Sequence, residues 1–360
     1  MKAPEAHAFW QPEPARIAVF RALQLGDLLC AVPALRALRA RFPLAHITLV
    51  GLPGAAAFQR RFGAYLDDLA PFPGASGMPE QAPREEALPA FYDWARAQRF
   101  DVALQLHGSG ELTNPLVRNL GARHIAGFHP EPQPPAEERA WWMPWPERLP
   151  EIERHLALMR FLGLPAQLAD LEFPLTHRNR EEALSLARNA RLRAGRTVLV
   201  HPGARLASRR WPADRFAAVA AALSRAGYDV ALTGSEAERP LTRQVAELAQ
   251  APLRNLAGCT ELGVLAALLE RSRLLVCNDT GVSHVAAAVG TPSVVIASGS
   301  DVNRWAPLDR ARHPVLWRDA PCRPCAHDQC PVGHPCALGV TVHDVIGRAE
   351  GMLGKEVYHA

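Results

Sequence analysis

Short apolar runs alternate along the chain with longer stretches whose apolar residues recur at helical spacing. That rhythm predicts a parallel sheet covered by helices. Arg16-Ile17-Ala18-Val19-Phe20 reads as a buried strand. Leu28 to Arg41 reads as helix, with Pro33 marking a kink or a fresh helix start. His46-Ile47-Thr48-Leu49-Val50 is a second strand and 101–106 a later one. The rhythm breaks between about 129 and 150, a proline-dense stretch holding Trp141, Trp142 and Trp145. We read it as a loop, because linkers seldom carry three tryptophans. Glu151 to Leu162 looks helical, and Pro165 to Pro174 looks like a crossing between domains. The second half restarts the pattern, with strands at 197–200, 229–233, 274–277 and 293–296 and helices at 213–226, 236–249 and 282–289.

Two successive doubly wound halves make an α/β chain of two Rossmann-like domains facing a cleft, at 1–174 and 175–345. A tail at 346–360 is expected to pack back on the first. The length of 360 residues agrees, since one core rarely grows past roughly 250–300 residues. Ligands of such sheets bind beyond the carboxyl ends of the strands.

Composition adds limits. Hydrophobic content of 48% and charged content of 21% are ordinary for a globular chain. A net charge of +4 gives no case for nucleic acid as a partner. Lysine occurs only at Lys2 and Lys355, and the arginines that replace it suit phosphate and carboxylate recognition. The stretch 215–233 is broken by Arg215, Arg225 and Asp229, so no membrane span is expected. Met1 to Pro14 lacks the apolar run of a signal peptide. The expected compartment is therefore the cytoplasm, where the seven cysteines stay reduced.

The chemistry-bearing residues sit at strand ends. Strand 274–277 runs into Asn278-Asp279-Thr280-Gly281-Val282-Ser283-His284. A helix starting there leaves unpaired backbone N–H groups that, with the helix dipole, favour an anion. Gly281 permits close approach, Thr280 adds a hydroxyl, and His284 lies about one turn into the helix. Alone, Asp279 or Thr280 reads equally well as a helix cap. Other strand ends agree, however. His201-Pro202-Gly203-Ala204 follows strand 197–200, and a loop with Arg205, Arg209 and Arg210 ends at Trp211-Pro212. Thr233-Gly234-Ser235 follows the next strand, with Glu236 and Glu238 behind it. Arginines neutralise a diphosphate through paired N–H donors, and a carboxylate accepts from ribose hydroxyls. The set suits a nucleoside diphosphate better than a free anion. In the first half, Gly26-Asp27 opens the helix that follows strand 16–20. Asp27 there is either a helix cap or a carboxylate placed to accept a proton.

These motifs, in order, resemble glycosyltransferase family 9, the ADP-heptose:lipopolysaccharide heptosyltransferases. The resemblance rests on Gly26-Asp27 with Pro33-Ala34-Leu35-Arg36, His201-Pro202-Gly203-Ala204, Arg210-Trp211-Pro212, Thr233-Gly234-Ser235 and Asn278-Asp279-Thr280-Gly281 with His284. Gly290-Thr291-Pro292 and Trp305-Ala306-Pro307 continue it, so it covers about 16 to 345. It implies a GT-B fold, with an acceptor-side N-terminal domain and a nucleotide-sugar-binding C-terminal domain. It implies an inverting, metal-independent transfer of heptose from a nucleotide donor, typically ADP-heptose, to a lipid-linked lipopolysaccharide-core glycan, with Asp27 as general base. The donor residues it implies are the arginine loop, Glu236 or Glu238, and Asp279-Thr280-Gly281. The family has lysine two residues before the Trp-Pro pair; this chain has Arg209. Gln105-Leu106-His107-Gly108-Ser109-Gly110 also looks like one branch of the family, with His107 facing the acceptor or serving structurally. A nucleotide-sugar 2-epimerase and a non-catalytic nucleotide-sugar-binding protein share the same fold and diphosphate site.

Two features stand apart. Cys322, Cys325, Cys330 and Cys336, with His327 and His334 interleaved, either close a structural zinc site or form a loop of free thiols. Trp141, Trp142 and Trp145 suit either a peripheral contact with the cytoplasmic face of the inner membrane or packing onto their own domain.

Overall fold

Strand β1 (Arg16–Phe20) is buried after its first residue, the mark of a parallel strand covered on both faces. The computed structural model describes residue 10 and residues 12–130, 141–325 and 327–354. The chain divides into two units, Met1–Asp170 and Leu171–Ala360.

In the first unit β1 leads to α1 (Leu25–Arg41), β2 (His46–Gly51), α2 (Ala56–Arg61), β3 (Asp68–Pro71), α3 (Leu88–Ala97), β4 (Val102–Gln105), α4 (Thr113–Arg118), β5 (His124–His129), β6 (Trp142–Pro144) and α5 (Glu151–Phe161). The sheet order is β3-β2-β1-β4-β5-β6, and every pairing is parallel. This is the doubly wound order, whose switch point falls between β1 and β4. Phe20, Phe72, Phe100 and Val117 fill the core on one face of the sheet.

The second unit repeats the plan. Its elements are α6 (His177–Asn189), β7 (Thr197–His201), α7 (Ala213–Arg225), β8 (Asp229–Leu232), α8 (Arg239–Ala249), β9 (Arg254–Asn255), α9 (Leu262–Glu270), β10 (Leu274–Asn278), α10 (Gly281–Ala288), β11 (Ser293–Ala297), α11 (Val302–Trp305), β12 (Val315–Trp317), α12 (Pro335–Leu338) and α13 (Val342–Leu353). The order β12-β11-β10-β7-β8-β9, again all parallel, puts the switch point between β7 and β10. Trp211, Phe216, Val245 and Val276 lie at the centre of its core.

Two expectations need correction. First, α1 begins at Leu25, not Leu28, and runs through Pro33 without a break. Second, 129–150 is not one loop: Trp142–Pro144 pairs with β5 as a sixth strand, and residues 131–140 lie outside the described residues. Trp142 is buried beneath Arg118, and Trp145 packs edge-on against Phe128 with the Arg154 guanidinium over its ring. These two tryptophans thus serve the packing of their own unit. The stretch 346–353 lies in the second unit. It is the end of α13, whose Val345, Ala349 and Leu353 join the core of the second unit. Residues 355–360 of the expected tail lie outside the described residues.

Candidate functional site

At the switch point of the second sheet, Asn278 ends β10 and is fully buried. Its Oδ1 accepts from the Trp211 backbone N–H at 2.9 Å, and its Nδ2 donates to the Pro202 carbonyl at 2.8 Å and the Gly203 carbonyl at 3.3 Å. One amide therefore fastens the end of β10 to the turn after β7 and to the end of the arginine loop.

The other residues expected here assemble around that fastening. His201 Nδ1 stands 3.1 Å from Thr233 Oγ1. Burial holds the His201 pKa below its ordinary value, opposed by the Glu238 carboxylate. Glu238 accepts from Ser235 N at 2.7 Å and Ser235 Oγ at 2.8 Å. It occupies space that a Cβ on Gly203 would need, and Gly234 packs against the same side chain. Glu236 instead pairs with Arg239 at 2.9 Å. Of the two glutamates, Glu238 is the one held beside His201 and Gly203.

Arg209 donates through Nη2 to the Cys325 carbonyl at 2.8 Å, while its buried Nε has no partner among the described residues. Burial lowers the Arg209 pKa and Asp279 works against that shift. Arg310, which no motif marks, shows the same two influences. Two guanidinium groups therefore lie in the field of Asp279. Arg210 turns back to the Ala204 carbonyl at 2.8 Å, and Arg205 is exposed. Thr280 holds the N-cap position of α10 yet makes no side-chain cap bond, and its Oγ1 is buried without a partner among the described residues. Thr280 is thus not a cap in the bonding sense, and its hydroxyl remains available to a ligand at the helix N-terminus, where Gly281 begins α10. His284 is buried, near enough to His313 to oppose its protonation.

The cysteine segment backs the arginine loop. Ser208 donates to the His327 carbonyl at 2.5 Å and, through its N–H, to the Asp328 carbonyl at 2.9 Å. The Cys330 sulfur accepts from the His334 N–H at 3.1 Å. Among the described residues no three His, Cys, Asp or Glu side chains are gathered as metal ligands. The zinc expectation for Cys322, Cys325, Cys330 and Cys336 therefore rests on their spacing alone.

In the first unit Gly26 is the second residue of α1, and Asp27 lies at its third position. Asp27 Oδ2 accepts from the Gln24 N–H at 3.1 Å, half of a reciprocal capping box. Behind this turn Arg21 is 1% exposed, and its Nε donates to the Asp27 carbonyl at 2.8 Å. Its other nitrogens reach the Leu106 carbonyl and, at 3.2 Å, Glu151 Oε1. Arg21 follows β1 and Leu106 follows β4, so a buried side chain bridges this switch point as Asn278 bridges the other. Glu151 also accepts from Arg154 at 3.0 Å, which keeps the buried charges paired. His107 lies beyond β4; its carbonyl accepts from Gln105 at 2.5 Å and Thr113 at 2.9 Å. His107 lines a cavity of about 160 Å³ with Glu80, Ser109 and Glu111.

Two doubly wound parallel sheets with these strand-end motifs define a GT-B type architecture. A solved glycosyltransferase family 9 structure from Veillonella parvula has the same fold, with a TM-score of 0.76 at 22% identity over 95% of this chain and 98% of that one. The Escherichia coli ADP-heptose lps heptosyltransferase II structure gives 0.68 at 23% over 95% and 99%. The profile of Glycosyltransferase family 9 (heptosyltransferase) matches residues 93–335. The chain belongs to that family. It is 27% identical over 215 residues to lipopolysaccharide heptosyltransferase 2 of Salmonella typhimurium, covering 57% of this chain and 62%, under two thirds, of that enzyme. The lipopolysaccharide heptosyltransferase 2 of Escherichia coli is 27% identical over 302 residues, covering 79% of this chain and 83% of that one.

Proposed function

We propose that the chain is an inverting glycosyltransferase that moves a heptose from a nucleotide donor, ADP-heptose in the simplest case, to a lipid-linked lipopolysaccharide-core or related glycan. The observation that carries this is the carboxyl edge of the second sheet in a member of this family. Thr280 Oγ1 at the start of α10 and Arg209 Nε, in the field of Asp279, are buried polar atoms without a partner among the described residues, with Glu238 two strands away. The first pair suits a diphosphate and the carboxylate suits a ribose.

In the transfer, Asp27 accepts the proton of an acceptor hydroxyl as that oxygen attacks the anomeric carbon. The bond from that carbon to the diphosphate oxygen breaks on the opposite face, which inverts the centre. Charge then grows on the leaving diphosphate, where Arg209, Arg310 and the N–H groups of α10 stabilise it. No step above uses a metal; a zinc held by Cys322, Cys325, Cys330 and Cys336 would be structural. No helix of the described residues is long and apolar enough to cross a membrane. With a lipid-linked acceptor, the enzyme would work peripherally at the cytoplasmic face of the inner membrane.

The test is a melting screen with ADP, ADP-heptose and UDP- and GDP-sugars, followed by product analysis with and without acceptor. A ligand at 100 times its Kd raises stability by about 2.7 kcal/mol. The proposal expects that rise with ADP-heptose and a heptosylated acceptor as product. An isomerised nucleotide sugar formed without acceptor would replace it with the epimerase reading. Binding without any turnover would replace it with the binding-protein reading.

A further inference from the structure

Beyond β10, the next strand of the second sheet, β11, is followed directly by Ser298-Gly299-Ser300. Ser298 is 2% exposed and Ser300 is 3% exposed. The Oγ atoms of both are buried and have no hydrogen-bond partner among the described residues. Burying a hydroxyl in this way costs about 1–3 kcal/mol, so two of them flanking a single glycine need a reason.

The backbone around them is firmly held, and by neighbours of the arginine loop. The Cys325 N–H donates to the Gly299 carbonyl at 2.7 Å. Arg323 donates to the Ala297 carbonyl at 3.1 Å and the Ser300 carbonyl at 2.6 Å. A Cβ on Gly299 would stand 2.6 Å from Cys325 Cβ and 3.7 Å from the Ser208 carbonyl. The same Cys325 accepts from Arg209 through its carbonyl. The serine segment thus lies against the residues that present Arg209, with the Ala297, Gly299 and Ser300 carbonyls bonded and both hydroxyls without a partner among the described residues.

The sheet order gives these hydroxyls a place along a ligand. Strands β8, β7, β10 and β11 are consecutive neighbours. At about 4.8 Å per strand their ends span about 14 Å, comparable to an extended nucleoside diphosphate sugar. Glu238 at the β8 end suits the ribose, and the start of α10 after β10 suits the diphosphate. The β11 end falls past the diphosphate, on the side away from the ribose. A sugar attached to the diphosphate would lie there. Neutral hydroxyls that both donate and accept match the hydroxyls of a sugar rather than a charged group. We propose that Ser298 and Ser300 bind the sugar of the donor and help select a polyhydroxylated one. This rests on the nucleotide-sugar reading above.

Titration calorimetry of ADP and of ADP-heptose with wild type, Ser298→Ala, Ser300→Ala and the double variant tests it. The expected result is an ADP affinity within about twofold of wild type and an ADP-heptose affinity at least about tenfold weaker in the double variant. Equal weakening of both ligands would assign the serines to phosphate and overturn the proposal. So would an unchanged ADP-heptose affinity. A wild type that binds neither ligand would instead refute the donor reading itself. Because each substitution removes an unpartnered hydroxyl, melting temperatures should not fall; a drop of several degrees in either single variant would mean a structural role and also overturn the proposal.

Discussion

Replacing Asn278 by alanine strips the second unit of the amide that joins three of its ligand-bearing segments. The Trp211 N–H and the Pro202 carbonyl, bonded at 2.9 and 2.8 Å in the native chain, would be left buried without partners. Each such group costs about 1–3 kcal/mol, so the two together cost about 4 kcal/mol. For a unit of this size each kcal/mol moves Tm by about 2–4 °C, which gives a drop of about 8–16 °C. Asn278→Asp separates the contributions. It keeps an acceptor for Trp211 but turns a carboxylate toward two carbonyls, so its loss should equal or exceed that of the alanine variant. The assay is a calorimetric melt of the full chain with and without ADP. If Asn278→Ala melts within about 2 °C of wild type and binds ADP equally well, the amide does not hold these segments together and the reasoning fails.

Other outcomes follow from the same structure. His313 is buried, which pushes its pKa down from 6.5 to about 4. Between those values the unfolded chain binds a proton that the folded chain refuses, so stability falls as pH drops from 6.5 towards 4; at pH 5 this is worth about 2 kcal/mol. His313→Gln should flatten that part of a urea-denaturation pH series, and parallel curves for the two proteins would count against it. Glu151→Gln leaves Arg21 and Arg154 buried without their counter-charge. A loss of about 3–5 kcal/mol is expected by urea denaturation, and a loss below about 1 would show that the pairing is not the support of the Asp27 turn. Metal analysis of the purified chain should find about one equivalent of zinc if the four clustered cysteines form a structural site, and less than about a tenth of an equivalent ends that idea.

Much of the architecture was legible because parallel strands buried on both faces appear as unbroken apolar runs, such as Leu274-Leu275-Val276. Short elements were not. Trp142–Pro144 forms a strand through pairing with β5, a long-range contact that its three residues do not advertise. The start of α1 is hard to read from sequence because Gln24 supplies the N-cap and Asp27 sits inside the first turn, whereas Asp more commonly is the cap itself. In the site, residues at strand ends could be chosen from motif grammar, but that grammar does not tell Glu236 from Glu238; the packing of Gly203 and Gly234 does. Ser298-Gly299-Ser300 follows its strand just as Thr233-Gly234-Ser235 follows β8, so a uniform reading of all strand ends would have found it. Arg310 and Glu151 reach their places by tertiary folding alone, and no spacing marks them.

In the proposed transfer Asp27 is the base, while the second unit holds the donor. The direct measurement is Asp27→Ala assayed for ADP-heptose binding by calorimetry and for single-turnover transfer. The expected result is a melt lowered by about 2–4 °C through loss of half the capping box, donor affinity within about twofold of wild type, and transfer slowed by about 10²–10⁴. Transfer that persists at the wild-type rate, with donor binding intact, would contradict it.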